Sequence, residues 1–170
     1  MDEKSTKHIL SIMVDNEPGV LARVVGLFSG RGYNIESLSV SEVDSDKFLS
    51  RITVVTSGTK LIVNQIKAQL GKLIPVHNLV DISELESFIG KELILVKLDV
   101  KNKNLINLLK KFKKLGIKTL SENKNELIIE YTGTPEEITK LVKLLKNTKI
   151  IEQTRSGLVS IATGTDYIKK

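Results

Sequence analysis

Cysteine is absent from this 170-residue chain. That excludes disulfides, thiolate metal sites and a cysteine nucleophile, and it fits a cytosolic protein. Tryptophan is absent too, and aromatics make up only 4% of the residues. A core must therefore be built from Leu, Ile and Val. Histidine occurs twice, as His8 and His77. Each falls in a predicted strand, and no HExxH-like ligand spacing occurs. A strand histidine is more often a polar edge residue than a catalyst. A catalytic site needs a nucleophile, acid–base groups or a metal, and the chain offers no such constellation: no catalytic residue, no metal site. No apolar run is long enough to span a bilayer. The start, MDEKSTKHIL, has no long apolar stretch after its charges and does not read as a secretory signal. A soluble, cytoplasmic protein is expected.

About two-fifths of the residues are apolar, 41%, enough for one medium domain or two small ones. The formal net charge is +6 and Lys dominates it, which invites a nucleic-acid reading. Against it, Lys110, Lys111, Lys113 and Lys114 alternate with Leu108, Leu109, Phe112 and Leu115. That is a helix with an apolar stripe and a wet face. Solvation is the better account of the lysines.

Period and punctuation give an order of elements. His8 to Val14 reads as a strand, and Asp15-Asn16-Glu17-Pro18-Gly19 as a turn. Val20, Leu21, Val24, Leu27 and Phe28 share a helical face that Gly30 and Gly32 terminate. Ile35 to Glu42 and Phe48 to Thr56 form a hairpin around Asp44-Ser45-Asp46. Thr59 to Leu73 is helical and Pro75 to Ile82 is a strand. Strand, helix, strand, strand, helix, strand is the split βαβ, ferredoxin-like unit, a four-stranded antiparallel sheet with two helices on one face.

Ser83 to Gly90 breaks the pattern, and the order then repeats. Strands are expected at Leu93–Val100, Ile117–Leu120, Glu126–Tyr131 and Lys149–Gln153. Helices are expected at Asn104–Leu115 and from Thr134, where Thr134-Pro135-Glu136-Glu137 forms a capping box with Pro at the first helical position. The fold class is α+β, with two ferredoxin-like βαββαβ domains in tandem: 1–83, a linker at 84–90, and 91–170. In the first strand Ile9 and Met13 lie on one face and Leu10, Ile12 and Val14 on the other. A small domain that leaves an apolar sheet face or edge bare tends to pair through it, so a dimer at least is expected.

Two familiar patterns fail. Gly26-Leu27-Phe28-Ser29-Gly30-Arg31-Gly32 has neither the P-loop spacing nor GxGxxG; its glycines leave a helix rather than enter one. RNA-binding domains of this topology stack bases on aromatics of the central strands, and Leu93-Ile94-Leu95-Val96-Lys97-Leu98 is aliphatic but for one lysine. The junction Asp15–Leu21 remains. A helix N-terminus exposes unpaired N–H groups and partial positive charge, and can hold a carboxylate. Gly19 permits close approach to the backbone. Asp15 and the Asn16 side-chain carbonyl could accept from an ammonium group. The same residues also make an ordinary turn, and both readings stay open on physical grounds alone.

The run His8 to Val24, HILSIMVDNEPGVLARV, resembles the first strand, loop and helix of an ACT domain, a regulatory module that binds amino acids. Its continuation, Gly26 to Leu38, GLFSGRGYNIESL, resembles the small, regulatory subunits of acetolactate synthase (acetohydroxyacid synthase). Glu92-Leu93-Ile94-Leu95-Val96-Lys97-Leu98 and Arg155-Ser156-Gly157-Leu158-Val159 are similar to strings of that family, whereas 101–149 carries little motif. The resemblance implies a non-catalytic chain that activates a large subunit holding thiamine diphosphate, Mg2+ and FAD. That subunit condenses two pyruvates, or pyruvate with 2-oxobutyrate, at the entry to branched-chain amino-acid synthesis. It also implies feedback, chiefly by valine, from an effector held between the ACT domains of a homodimer. One chain offers Asn16, Pro18, Gly19, Val20 and Leu21, and the other Asn34 and Ile35. Leu21 and Ile35 would face a branched side chain; Pro18 removes one N–H donor. The competing readings are an ACT-type sensor of another enzyme and a basic RNA binder. Arg155-Ser156-Gly157 and Gly32-Tyr33-Asn34-Ile35-Glu36-Ser37 favour the acetolactate synthase reading over the other sensor, and the missing aromatics disfavour the RNA binder.

Overall fold

A computed structural model describes residues 4–99 and 116–164; the helix expected at Asn104–Leu115 lies outside them. The chain forms two compact units, one running up to Ile89 and taking in the segment from Leu158, the other running from Gly90 to Gly157.

The first unit follows the expected order: β1 (Thr6–Asp15), α1 (Val20–Ser29), β2 (Ser37–Asp44), β3 (Leu49–Gly58), α2 (Lys60–Leu70) and β4 (Val76–Asp81). The strands pair antiparallel in the order β2-β3-β1-β4. Alternation along β1 turns Leu10, Ile12 and Val14 toward Val20, Val24 and Phe28 of α1 and Val63, Ile66 and Leu70 of α2. Helix α1 stops at Gly30; Gly32 then takes φ 70°, and Tyr33 N–H reaches back to Phe28 O at 3.0 Å.

The other face of this sheet is not bare. Beyond β4 the chain makes a short 3-10 turn, Ile82–Glu84. The segment from Leu158 returns to this unit and contains β9 (Val159–Ala162), a strand the sequence did not announce. Ile9 and Val55 are buried beneath Ile82 and Leu158. Ser39 Oγ donates to Leu158 O at 2.7 Å, and Leu158 N–H donates to Ser37 Oγ at 3.0 Å. Arg51 donates to Ser11 Oγ at 2.7 Å and to Ser160 O at 2.9 Å. The chain thus covers this face of the sheet itself.

The second unit holds β5 (Phe88–Asp99), β6 (Lys118–Glu122), β7 (Glu126–Gly133), α3 (Pro135–Leu144) and β8 (Ile150–Arg155), in sheet order β6-β7-β5-β8. Strand β5 begins inside the stretch read as a linker: Gly90 sits within a strand rather than breaking one. Ile94, Val96, Leu98, Leu127 and Ile129 pack against Ile138, Leu141 and Leu145. The capping box at Thr134 is formed in both directions, at 2.7 and 3.3 Å. The two strings of the second unit that resemble one family meet across the sheet. Arg155 forks onto buried Glu92, and Leu93 and Ser156 exchange two 3.0 Å bonds.

Among the described residues no helix is long and apolar enough to cross a membrane.

Candidate functional site

The turn between β1 and α1 exists because Pro18 and Gly19 end the strand and start the helix. Gly19 is the N-cap at φ 88°, a left-handed conformation. A Cβ there would meet nothing within 4 Å; glycine is favoured by the backbone angle, not by crowding. No side chain caps α1. Val20 N–H donates to Glu17 O at 3.3 Å and Arg23 N–H to Gly19 O at 3.0 Å. The N–H groups of Leu21 and Ala22 have no acceptor among the described residues. They are the open donors of the helix end.

The loop hangs from two neighbours. Asp15 N–H donates to Pro75 O at 2.9 Å, and His77 Nε2 lies 2.5 Å from Asp15 Oδ1. Asn16 N–H donates to Phe48 O at 2.6 Å, and Asn16 Nδ2 to Glu42 Oε1 at 3.2 Å. One oxygen of Asp15 is therefore engaged by His77. The amide nitrogen of Asn16 is committed to Glu42, which leaves its carbonyl oxygen as the acceptor. Asn16, Pro18, Gly19 and Leu21 are exposed; Val20 is buried in the core and contributes no surface.

Asn34 and Ile35 are elsewhere. Thr56 Oγ1 donates to Asn34 O at 2.7 Å. Thr56 pairs with His8, near the start of β1, while Asp15 ends it. Seven residue steps along β1 separate these positions, about 24 Å at ~3.4 Å each. Within one chain the two halves of the expected site do not meet. Ile35 is half-buried against the core, and Asn34 is exposed.

Sequence reasoning missed the partners of this loop. From the sequence His77 is only a polar strand residue, Glu42 one face of a strand and Phe48 a strand start. Glu42 and His77 come from other strands and Phe48 from the turn between β2 and β3, and the pairing that brings them here has no local signal.

A second cluster joins His8, Asp81 and Glu84, whose side-chain ligand atoms lie within 4.8 Å of one another. Each already has a protein partner. His8 Nδ1 bonds Asp81 Oδ2 at 2.7 Å and its Nε2 bonds Thr6 Oγ1 at 3.0 Å. Asp81 Oδ1 accepts from Ser83, and Glu84 pairs with Lys67 at 2.8 Å. With every group partnered, the cluster reads as a hydrogen-bonded tie between β1 and the turn after β4.

Comparison with known proteins shows the family. Residues 10–78 match the family model described as an AHAS small subunit-like ACT domain, and 91–164 the model described as the small subunit of acetolactate synthase. The chain is 40% identical over 164 residues to the acetolactate synthase small subunit of Buchnera aphidicola subsp. Baizongia pistaciae, covering 91% of this chain and 98% of that one. It is 37% identical to the counterpart in Mycolicibacterium smegmatis, covering 96% and 95%. The crystal structure of the Thermotoga maritima small subunit superimposes with a TM-score of 0.82 at 29% identity, over 95% of this chain and 99% of that one. The chain belongs to the acetolactate synthase small-subunit family, whose members are regulatory rather than catalytic.

Proposed function

We propose that this chain raises the activity of the large, catalytic subunit of acetolactate synthase and makes it sensitive to valine. The observation that carries the reading is the exposed, uncapped start of α1. Its free Leu21 and Ala22 N–H groups suit a carboxylate, beside the Asn16 carbonyl and one Asp15 oxygen, which suit an ammonium. The ~24 Å separation of this loop from Asn34 and Ile35 favours a pocket closed by a second copy, with Asn34 and Ile35 supplied from across a homodimer of first units. Leu21 would meet the branched side chain. Thiamine diphosphate, Mg2+ and FAD belong, in this reading, to the large subunit, which does the chemistry; the setting is the cytoplasm and branched-chain amino-acid synthesis.

The test is acetolactate formation from pyruvate by the matching large subunit, with and without this chain, across added valine. Stimulation without added valine and inhibition with it are expected; no stimulation would refute the reading. Gly19→Asp and Gly19→Asn sharpen the site assignment. Both side chains tolerate the left-handed angle, and only Asp adds a negative charge where the effector carboxylate would sit. Valine inhibition should be lost in the Asp variant and largely kept in the Asn one. Asn34→Ala should weaken valine binding in calorimetric titration of the full chain; undiminished affinity would remove Asn34 from the pocket.

A further inference from the structure

Phe48 is the only non-glycine residue with positive φ among the described residues, at 49°. It is also exposed. It closes the β2–β3 hairpin, where its N–H donates to Ser45 O at 3.4 Å and Lys47 N–H to Asp44 Oδ1 at 3.2 Å. Hairpins of this kind end on a left-handed residue, commonly glycine or asparagine. A phenylalanine there is held against its own preference. Its carbonyl, one position beyond the Asp15–Leu49 pair of the β1–β3 ladder, accepts the Asn16 N–H at 2.6 Å, the shortest backbone tether of the junction before α1. The same hairpin supplies Glu42 for the Asn16 side chain.

We propose that Phe48 is a positioning residue for the effector loop. Its left-handed backbone aims the carbonyl that fixes Asn16, so that the Asn16 side-chain oxygen and the open N–H groups of α1 are set before an amino acid arrives. This rests on the reading of the junction as an amino-acid site. The side chain is not what acts, so the substitution that matters is the one that changes the backbone. Asparagine and glycine keep the left-handed angle without strain; valine, branched at Cβ, expels the residue from it. Once φ turns negative the carbonyl swings away and Asn16 loses its anchor. The loop must then be ordered at the binding step, which costs about one residue's conformational entropy, about a tenfold loss of affinity.

The experiment compares Phe48→Gly, Phe48→Asn and Phe48→Val in the complex with the matching large subunit. The valine concentration that halves activity is read relative to each variant's own uninhibited rate. Amide hydrogen exchange of Asn16 is followed in the full-length chain without effector. Expected are near-parental half-inhibition and protection of Asn16 in the Gly and Asn variants, with about tenfold weaker inhibition and lost protection in the Val variant. Two results would overturn the proposal: a Val variant as sensitive and as protected as the parent, or Gly and Asn variants that lose as much as Val does. If the parent itself shows no valine response, the functional reading fails. The exchange pattern alone then decides whether Phe48 positions the loop.

Discussion

The two sheets share topology and differ in what lies on the face away from the helices. In the first, that face carries Ile9, Ser11, Met13, Ser37, Ser39, Arg51 and Val55, a mixture that resembles a solvent-facing surface. It is closed: Ile82 and Leu158 bury Ile9 and Val55, and the hydroxyls and the guanidinium bond the returning segment and its neighbours. In the second sheet the equivalent positions carry Leu93, Leu95 and Ile128 beside Lys97, Glu126, Glu130 and Glu152. Among the described residues that face stays half-open, with a hollow of about 260 Å3 over Leu95, Lys97, Ile128, Glu152 and Thr154. Polarity alone misleads. Short hydroxyls cannot reach past a covering strand and instead bond its backbone. Long Lys and Glu side chains keep their charges in water while their stems lie on apolar neighbours.

If the comparison is right, equal truncations on the two faces have unequal costs. Leu158, 3% exposed, is expected to lose about 2–4 kcal/mol as Leu158→Ala, since its cavity lies among Ile9, Val55 and Ile82. Leu95→Ala removes a half-exposed side chain and should cost below about 1 kcal/mol. Denaturant unfolding of the full-length variants measures both. Equal losses would break the distinction between a closed face and an open one.

Arg51 gives an intermediate effect. Burial pushes its guanidinium's pKa below the ordinary value, and its hydrogen-bond partners are a hydroxyl and a carbonyl rather than a carboxylate. Arg51→Ala removes both bonds, and with them about 1–2 kcal/mol. Leucine at this position keeps stem volume without donors. A Leu variant as stable as the parent would assign the contribution of Arg51 to packing of its stem.

The order of elements was legible because each signal is local: alternation in β1, glycines after α1, the capping box of α3. The covering of the first sheet was not. Val159-Ser160-Ile161-Ala162 is four residues long, and nothing in them names a sheet so far back in the chain. Gly90 read as a breaker because a glycine inside a strand has no sequence mark distinguishing it from one in a linker. The candidate loop was legible through Asp15, Asn16, Pro18 and Gly19, which carry turn chemistry in themselves. Its supports, Glu42, Phe48 and His77, were not, because strand pairing brings them from 26 to 62 residues away.

The smallest effect concerns the edge where the chain enters β2. Glu36 accepts from Ser57 Oγ and pairs with Lys7 at 3.0 Å. The Ser57 hydroxyl first, and Lys7 after it, hold its carboxyl below the usual carboxylate range. A carboxyl whose folded pKa is depressed contributes stability above its unfolded pKa, about 4.3, and that stability is lost as pH falls through the folded value. Glu36→Gln should therefore lower stability at neutral pH by less than about 1 kcal/mol, as fits a largely exposed pair. The gap between parent and variant should close below pH ~4. Glu36 directly precedes Ser37, which receives Leu158 N–H. If acid loosened the tail along with Glu36, the parent would lose protection at the Leu158 amide as pH falls and the Gln variant would not. Equal protection in both across the titration would confine the effect of Glu36 to its own ion pair and leave the closed face independent of it.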